Sequence, residues 1–217
     1  MTAKEKFTPA LGYAALTPLY DAAIAITTRE RRWRRALLAQ LDPRPGERIL
    51  DVGCGTGTLA VMMKGLAPEA EVIGLDPDGE VLVRARRKVA KAGVELFFFE
   101  GFLDDAMAMR IGPVDKISCS LVLHQVPLEE KGRILLTVHS LLRQGGVLHL
   151  VDYGRQSTPL MRAGFRLIQL LDGLANTAPN ARGVLPDLMK CAGFSAVEET
   201  QRLSTATGSL SMWRAVK

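Results

Sequence analysis

Three glycines at alternate positions, Gly53, Gly55 and Gly57, follow an apolar run carrying Asp51 in the stretch ILDVGCGTGTLA. Glycine lets a chain turn sharply and lets a ligand approach the backbone without meeting a side chain. The amide N–H groups at the start of the next helix then face that ligand. Loops that hold the diphosphate of a dinucleotide space their glycines G-x-G-x-x-G, whereas this one reads G-x-G-x-G. Asp51 stands two residues before the first glycine. A carboxylate there repels a pyrophosphate and attracts a cation. A ligand with an ammonium or sulfonium centre therefore fits better than a nicotinamide dinucleotide. The alternative for Asp51 is an anchor for the loop's own amides. A second acid, Asp76, ends VIGLD, at a distance where a carboxylate accepts both hydroxyls of a ribose. That spacing also serves dinucleotide enzymes, so Asp76 discriminates only together with Asp51. His124, in LVLHQV, is the candidate catalytic group. It suits a general base or a substrate-orienting residue, and the plainer alternative is a brace for its loop.

These groups need a scaffold that gathers them. RILDVG reads as a buried strand and TLAVMMKGL as the helix after it. EVIGLD is a second strand, and Asp78 is placed to cap a helix whose Val81, Leu82, Ala85, Val89 and Ala92 share one face. Gly93 ends that helix. VELFFFE, residues 114–123 and residues 145–152 supply three more strands, with an amphipathic helix, LEEKGRILLTVHSLL, before the last. Alternating strands and helices specify a parallel sheet covered on both faces, an α/β Rossmann-like doubly wound fold. Ligands of such sheets bind beyond the carboxyl ends of the strands. The glycine loop, Asp76, residues 100–104, residues 120–124 and Asp152 all follow strand ends, so they should meet at one edge. A helix is expected over 158–176, a short one at LPDLMKCAG, and an antiparallel pair of strands to finish the chain.

A chain of 217 residues is long enough for one well-cored domain. Cys54, Cys119 and Cys191 lie far apart without metal-ligand spacing, which favours a reducing compartment and gives no metal site. Together with the absence of an apolar signal core at the start and of any membrane-length apolar run, this reads as a cytoplasmic protein. The net charge of +5 owes much to TRERRWRR, residues 28–35. Trp33, Leu37 and Leu41 recur there at helical spacing with arginines between them. A solvated helix face explains this, while an anionic substrate, a membrane surface or nucleic acid is the alternative.

ILDVGCGTG resembles the first motif of the class I S-adenosylmethionine-dependent methyltransferases. VDKISCSLVLHQV is similar to that family's fourth-strand motif, LLRQGGVLHLVD to its next helix–turn–strand, and CAGF and WRAVK to its last helix and last strand. Upstream, LYDAAIAITTRERRWRR loosely resembles the entry helix of the ubiquinone/menaquinone-biosynthesis C-methyltransferases. The resemblance spans about residues 20–217 and implies a mostly parallel seven-stranded sheet with an antiparallel C-terminal strand. It divides the chain into an N-terminal helical cap, 1–45, and a methyltransferase domain, 46–217, with a helical lid around 157–180. It implies S-adenosylmethionine as cofactor, held by Tyr20, Asp51, Gly53, Cys54, Gly55, Gly57, Asp76, Pro77, Gly101, Phe102, Ser120 and Leu121. Ser120 and Leu121 act through backbone, and Cys54 is a small packed residue rather than a nucleophile. Relatives often carry Gly-Asp after the third strand; this chain reads EGFLDD. Either Asp104 reaches the adenine, or Phe102 packs on it while a backbone N–H reads the ring, which is the favoured reading.

The implied reaction is in-line methyl transfer to a small apolar or aromatic acceptor, aligned by the protein with water excluded. His124, Tyr153, Arg155 and Phe165 are the candidate acceptor contacts. Leu160, Met161, Phe165, Ile168 and Leu171 in the lid suit a greasy acceptor or a membrane-side approach, or else simply cover the sheet, and Arg162 and Arg166, one turn apart, are placed to hold an anionic group. Peripheral membrane contact stays open. An RNA methyltransferase is the main rival, but no RNA-binding appendage or amino-methylation motif is legible. A cofactor binder without chemistry and a misread nicotinamide enzyme are the others.

Overall fold

The computed structural model describes residues 28–217. Tyr20 and most of the expected N-terminal cap lie outside them. The elements run α1 (Glu30–Leu41), β1 (Arg48–Val52), α2 (Thr58–Leu66), β2 (Glu71–Asp76), α3 (Gly79–Ala92), β3 (Phe97–Glu100), α4 (Asp105–Ile111) and β4 (Val114–Ser120). After a 3-10 turn (Leu123–Gln125) come α5 (Leu128–Leu141), β5 (Leu142–Tyr153), α6 (Pro159–Asp172), α7 (Leu174–Arg182), α8 (Leu185–Cys191), β6 (Ala196–Thr205) and β7 (Gly208–Val216). The seven strands form one sheet in the order β3-β2-β1-β4-β5-β7-β6. Pairings among β1 to β5 are parallel, and β7 runs antiparallel between β5 and β6. The order reverses between β1 and β4, which is where a doubly wound sheet opens a crevice for a ligand.

Strand alternation sorts side chains onto the two faces. In β1, Leu50 and Val52 join the core that α4, α5 and α8 cover with Met107, Ile111, Leu135, Val138 and Met189. Ile49 faces the other core, capped by Trp33, Leu37 and Leu41 of α1, Leu59 and Met63 of α2, and Phe165 and Ile168 of α6. Asp51 shares the Ile49 side, and Asp152 of β5 shares the opposite one.

Local signals agree with these boundaries. The Asp78 carboxylate accepts from the N–H groups of Glu80 and Val81, and Gly93 closes α3 at φ 66°. Two departures matter. The expected 158–176 helix breaks at Gly173, whose φ of 83° and ψ of 142° are incompatible with a continuing helix. β4 also leaves the sheet at Ser120, three residues early, because Leu121 adopts a left-handed φ of 58°. No helix among the described residues is long and apolar enough to cross a membrane.

Candidate active site

The glycine loop leaves β1 in a sharp turn, with Gly53, Gly55 and Gly57 at φ 67°, 55° and 70°. L-residues rarely hold such angles, so glycine is the natural occupant. The N–H groups of Gly53 and Cys54 both donate to Leu75 O of the neighbouring strand, at 2.8 and 3.0 Å. That fixes the loop on the sheet. A side chain at Gly53 would run into Val122, and one at Gly57 would meet Ala85 at 3.2 Å. At Gly55 it would meet nothing within 4 Å among the described residues. The three glycines therefore do different work: two permit close packing, and Gly55 leaves one face of the loop open. Cys54 is buried beside Gly74, and burial with the nearby Asp51 and Asp76 charges pushes its thiol up far beyond the ordinary range. It is a packing residue.

Two carboxylates flank this loop. Asp51 is buried, and its Oδ1 accepts from Ser118 Oγ at 2.7 Å across the β1–β4 pairing. Burial pushes its pKa up to about 6 against the opposing pull of Ser118 and Arg34. A carboxylate that costly to bury is poorly compensated by its own protein and favours a cation brought to it. Asp76 accepts from Gly55 N–H at 2.9 Å through Oδ2 and from Asp78 N–H at 3.0 Å through Oδ1. Burial raises its pKa as well, with the two amide donors opposing. Arg34 of α1 acts electrostatically on both Asp51 and Lys88. The packing of Trp33, Leu37 and Leu41 with Leu59 and Met63 holds α1 on the same side of the sheet as α2. Lys88 Nζ donates to Thr56 Oγ1 at 2.8 Å and to Thr58 Oγ1 at 2.5 Å, tying α3 to the same loop.

Along the rim, Gly101 N–H donates to Asp76 O at 3.1 Å, and Pro77 links the Asp76 and Asp78 turns. Phe102 is exposed, at 39%. Asp104 is committed elsewhere: its carboxylate caps α4 by accepting from Met107 N–H at 2.8 Å. In EGFLDD, Phe102 thus stands exposed while Asp104 Oδ1 caps the helix that follows. Leu121 N–H donates to Val151 O at 2.8 Å, and Ser120 before it is half-buried.

His124 lies beyond β4, buried, between two carboxylates. Its Nδ1 donates to Asp152 Oδ1 at 2.8 Å, and its Nε2 pairs with Asp172 Oδ2 at 3.5 Å. Burial alone would lower its pKa, but Asp152 and then Asp172 outweigh it and push the ring up to about 9. Asp152 itself accepts from Leu123 N–H at 2.7 Å and Tyr153 N–H at 2.7 Å, so its orientation is fixed by backbone. Lys131 completes the brace. Its buried ammonium donates to the carbonyls of Leu123, Val126 and Asn176, joining the turn after β4 to α7. Burial lowers its pKa to about 8.

Two of the expected acceptor contacts lie buried. Tyr153 is 2% exposed, its hydroxyl 2.9 Å from Thr207 Oγ1, and Phe165 is 1% exposed. Both belong to the core under α6, because the odd-numbered positions at the end of β5 face that helix. Tyr153 still touches the site indirectly, with its ring edge-on to His124 at 4.9 Å. Arg155 is exposed, beside Gly183. Ser118, Lys131 and Asp172 went unread in the sequence, since each contributes through a partner distant along the chain.

Residues 49–146 match the family model of a methyltransferase domain. A demethylmenaquinone methyltransferase of Deinococcus radiodurans is 27% identical over 94% of this chain and 86% of its own. A ubiquinone biosynthesis O-methyltransferase of Xanthomonas axonopodis is 32% identical over 73% of this chain and 62% of its own. Among solved structures, a magnesium protoporphyrin IX methyltransferase of Synechocystis with bound S-adenosylhomocysteine superposes with a TM-score of 0.67 at 22% identity, over 88% of this chain and 85% of that one. Glycine loop, strand order and relatives agree, and the chain belongs to the class I S-adenosylmethionine-dependent methyltransferases.

Proposed function

We propose that the chain methylates a hydroxyl or ring carbon of a small aromatic acceptor by in-line displacement. The open face of Gly55 between the buried Asp51 and the half-buried Asp76 carries this reading. S-adenosylmethionine fits that cradle and supplies, when bound, an electrophilic methyl on a cationic sulfur. Asp51 would take the amino group of its methionine part and Arg34 the carboxylate. Asp76 would take the ribose and Phe102 the adenine face. The relatives named for demethylmenaquinone and ubiquinone biosynthesis support an acceptor of the hydroxylated aromatic class.

His124 serves in this reading to orient the acceptor rather than to remove its proton. A ring held protonated by Asp152 and Asp172 has no free lone pair at neutral pH. Its Nε2 bond is the longer one, at 3.5 Å. That nitrogen is the one an acceptor oxygen can engage as Asp172 gives way. The helices α6 and α7, within the expected lid, cover this end and would exclude water.

The test is parallel calorimetry with S-adenosylmethionine, S-adenosylhomocysteine and NAD, followed by labelled methyl transfer to a panel of catechols and quinols. Both adenosyl ligands should bind, NAD should not, and label should appear on a hydroxylated ring. Label entering tRNA alone, or NAD binding alone, would reject the proposal.

A further inference from the structure

α6 carries two apolar faces. Phe165 and Ile168 point into the core, and Asp172 one turn on reaches His124. On the opposite side, Leu160, Leu167, Leu170 and Leu171 are 83%, 50%, 83% and 43% exposed, and Leu174 at the start of α7 is 64% exposed. Single exposed leucines are ordinary, but a stripe of them marks a contact surface. Arg162 and Arg166 run alongside it, one turn apart and exposed. The Arg162 guanidinium donates to the carbonyls of Gln156 and Ser157, at 3.1 and 3.3 Å.

The charge pattern selects the occupant. The acid of α6 is Asp172, which is turned inward to His124, so the outer face of the helix is apolar and basic. A second copy seated there across a two-fold would set arginine against arginine. α1 packs into the same core as α6, on the same side of the sheet, and exposes Arg31, Arg32 and Arg35 there. Its Glu30 is paired with Arg34. The geometry points to docking of this face on an anionic lipid bilayer, with the α6 leucines entering the acyl boundary and the arginines meeting phosphate headgroups. The inference rests on α6 and α1 alone and stands whichever acceptor is methylated.

The test is co-sedimentation of the full chain with phosphatidylcholine vesicles, with and without phosphatidylglycerol. The parent should bind the anionic vesicles and leave them as salt rises. Leu167→Asp/Leu170→Asp should lower the partition coefficient at least about tenfold, and Arg162→Gln/Arg166→Gln should lower it about tenfold. Both variants should keep the parent's melting temperature and S-adenosylmethionine affinity, which excludes misfolding as the cause. A fluorophore at Leu170→Cys, in a Cys191→Ser background, should move to an apolar environment only when anionic vesicles are added. Three results would overturn the proposal. One is no binding by the parent; another is undiminished binding by the leucine variant. The third is a fluorophore already shielded without lipid, whether by a second copy or by residues 1–27.

Discussion

Gly53 and Gly55 are two residues apart, share a left-handed backbone, and should respond to the same substitution in opposite ways. Gly53→Ala carries the conformational cost of a side chain at positive φ, roughly 1–2 kcal/mol. It also forces a methyl group into Val122, an overpacking cost of roughly 1–3 kcal/mol. Together these come to about 2–5 kcal/mol, which in a chain of this size lowers the melting temperature by roughly 5–15 °C. Gly55→Ala carries only the first cost, because no described residue lies within 4 Å of its added carbon. Its methyl instead projects into the space assigned to the cofactor. It should weaken S-adenosylmethionine by at least about tenfold while lowering the melting temperature by only a few degrees. A thermal-shift assay and calorimetry on both variants separate the two effects. A third variant sharpens the test: Val122→Ala removes the clash with Cγ2 and keeps Cβ at 3.5 Å, so it should recover about 1–3 kcal/mol in the Gly53→Ala background and cost stability in the parent. Gly55→Ala binding S-adenosylmethionine as tightly as the parent would refute the assignment of that open face. Additive effects of Gly53→Ala and Val122→Ala would refute the packing argument.

Cofactor affinity should fall as pH drops through about 6, since the Asp51 carboxyl takes its proton there and ceases to attract an ammonium group. Ser118→Ala removes a donor that favours the carboxylate, so calorimetry across pH should place its midpoint higher than the parent's. Stability should show the opposite slope on the alkaline side. His124 is held near 9 in the folded chain against an ordinary 6.5, so its contribution is complete below 6.5 and is lost as pH rises through 9. Each unit of that shift is worth about 1.4 kcal/mol, and denaturant titrations should lose up to a few kcal/mol over the window. Asp152→Asn, less stable overall, should flatten that pH dependence. With a thiol reagent, Cys191 should react in the native protein while the buried Cys54 and Cys119 react only after unfolding.

The sheet and its loop were readable because their signals are local. An apolar run broken by glycines at fixed spacing gives β1, its turn and α2 within the nineteen residues 48–66, and Asp78 and Gly93 announce both ends of α3. Elements that depend on distant partners were not. LVL after Ser120 continues an apolar run and reads as strand, yet Leu121 turns left-handed and Leu123 drops into the core. α4 escaped notice because its apolar face is a single pair, Met107 and Ile111, behind acids that look like loop. The surroundings of His124 show the limit most clearly. Asp152 and Asp172 lie 28 and 48 residues away along the chain, and only the placement of β5 and α6 brings their charges to the ring. The histidine that the sequence offers as a base therefore stands, in the fold, between two carboxylates that raise its pKa.

Lys131 joins the turn after β4 to Asn176 of α7 through an ammonium sealed from solvent. Separating the two segments would strand that charge or flood it with water, and no intermediate displacement softens the penalty. Separation of α7 from that turn should accordingly be all-or-none: brief, complete excursions rather than gradual breathing. Its rate would then be governed by how often one cation is hydrated, not by the suppleness of the surrounding chain.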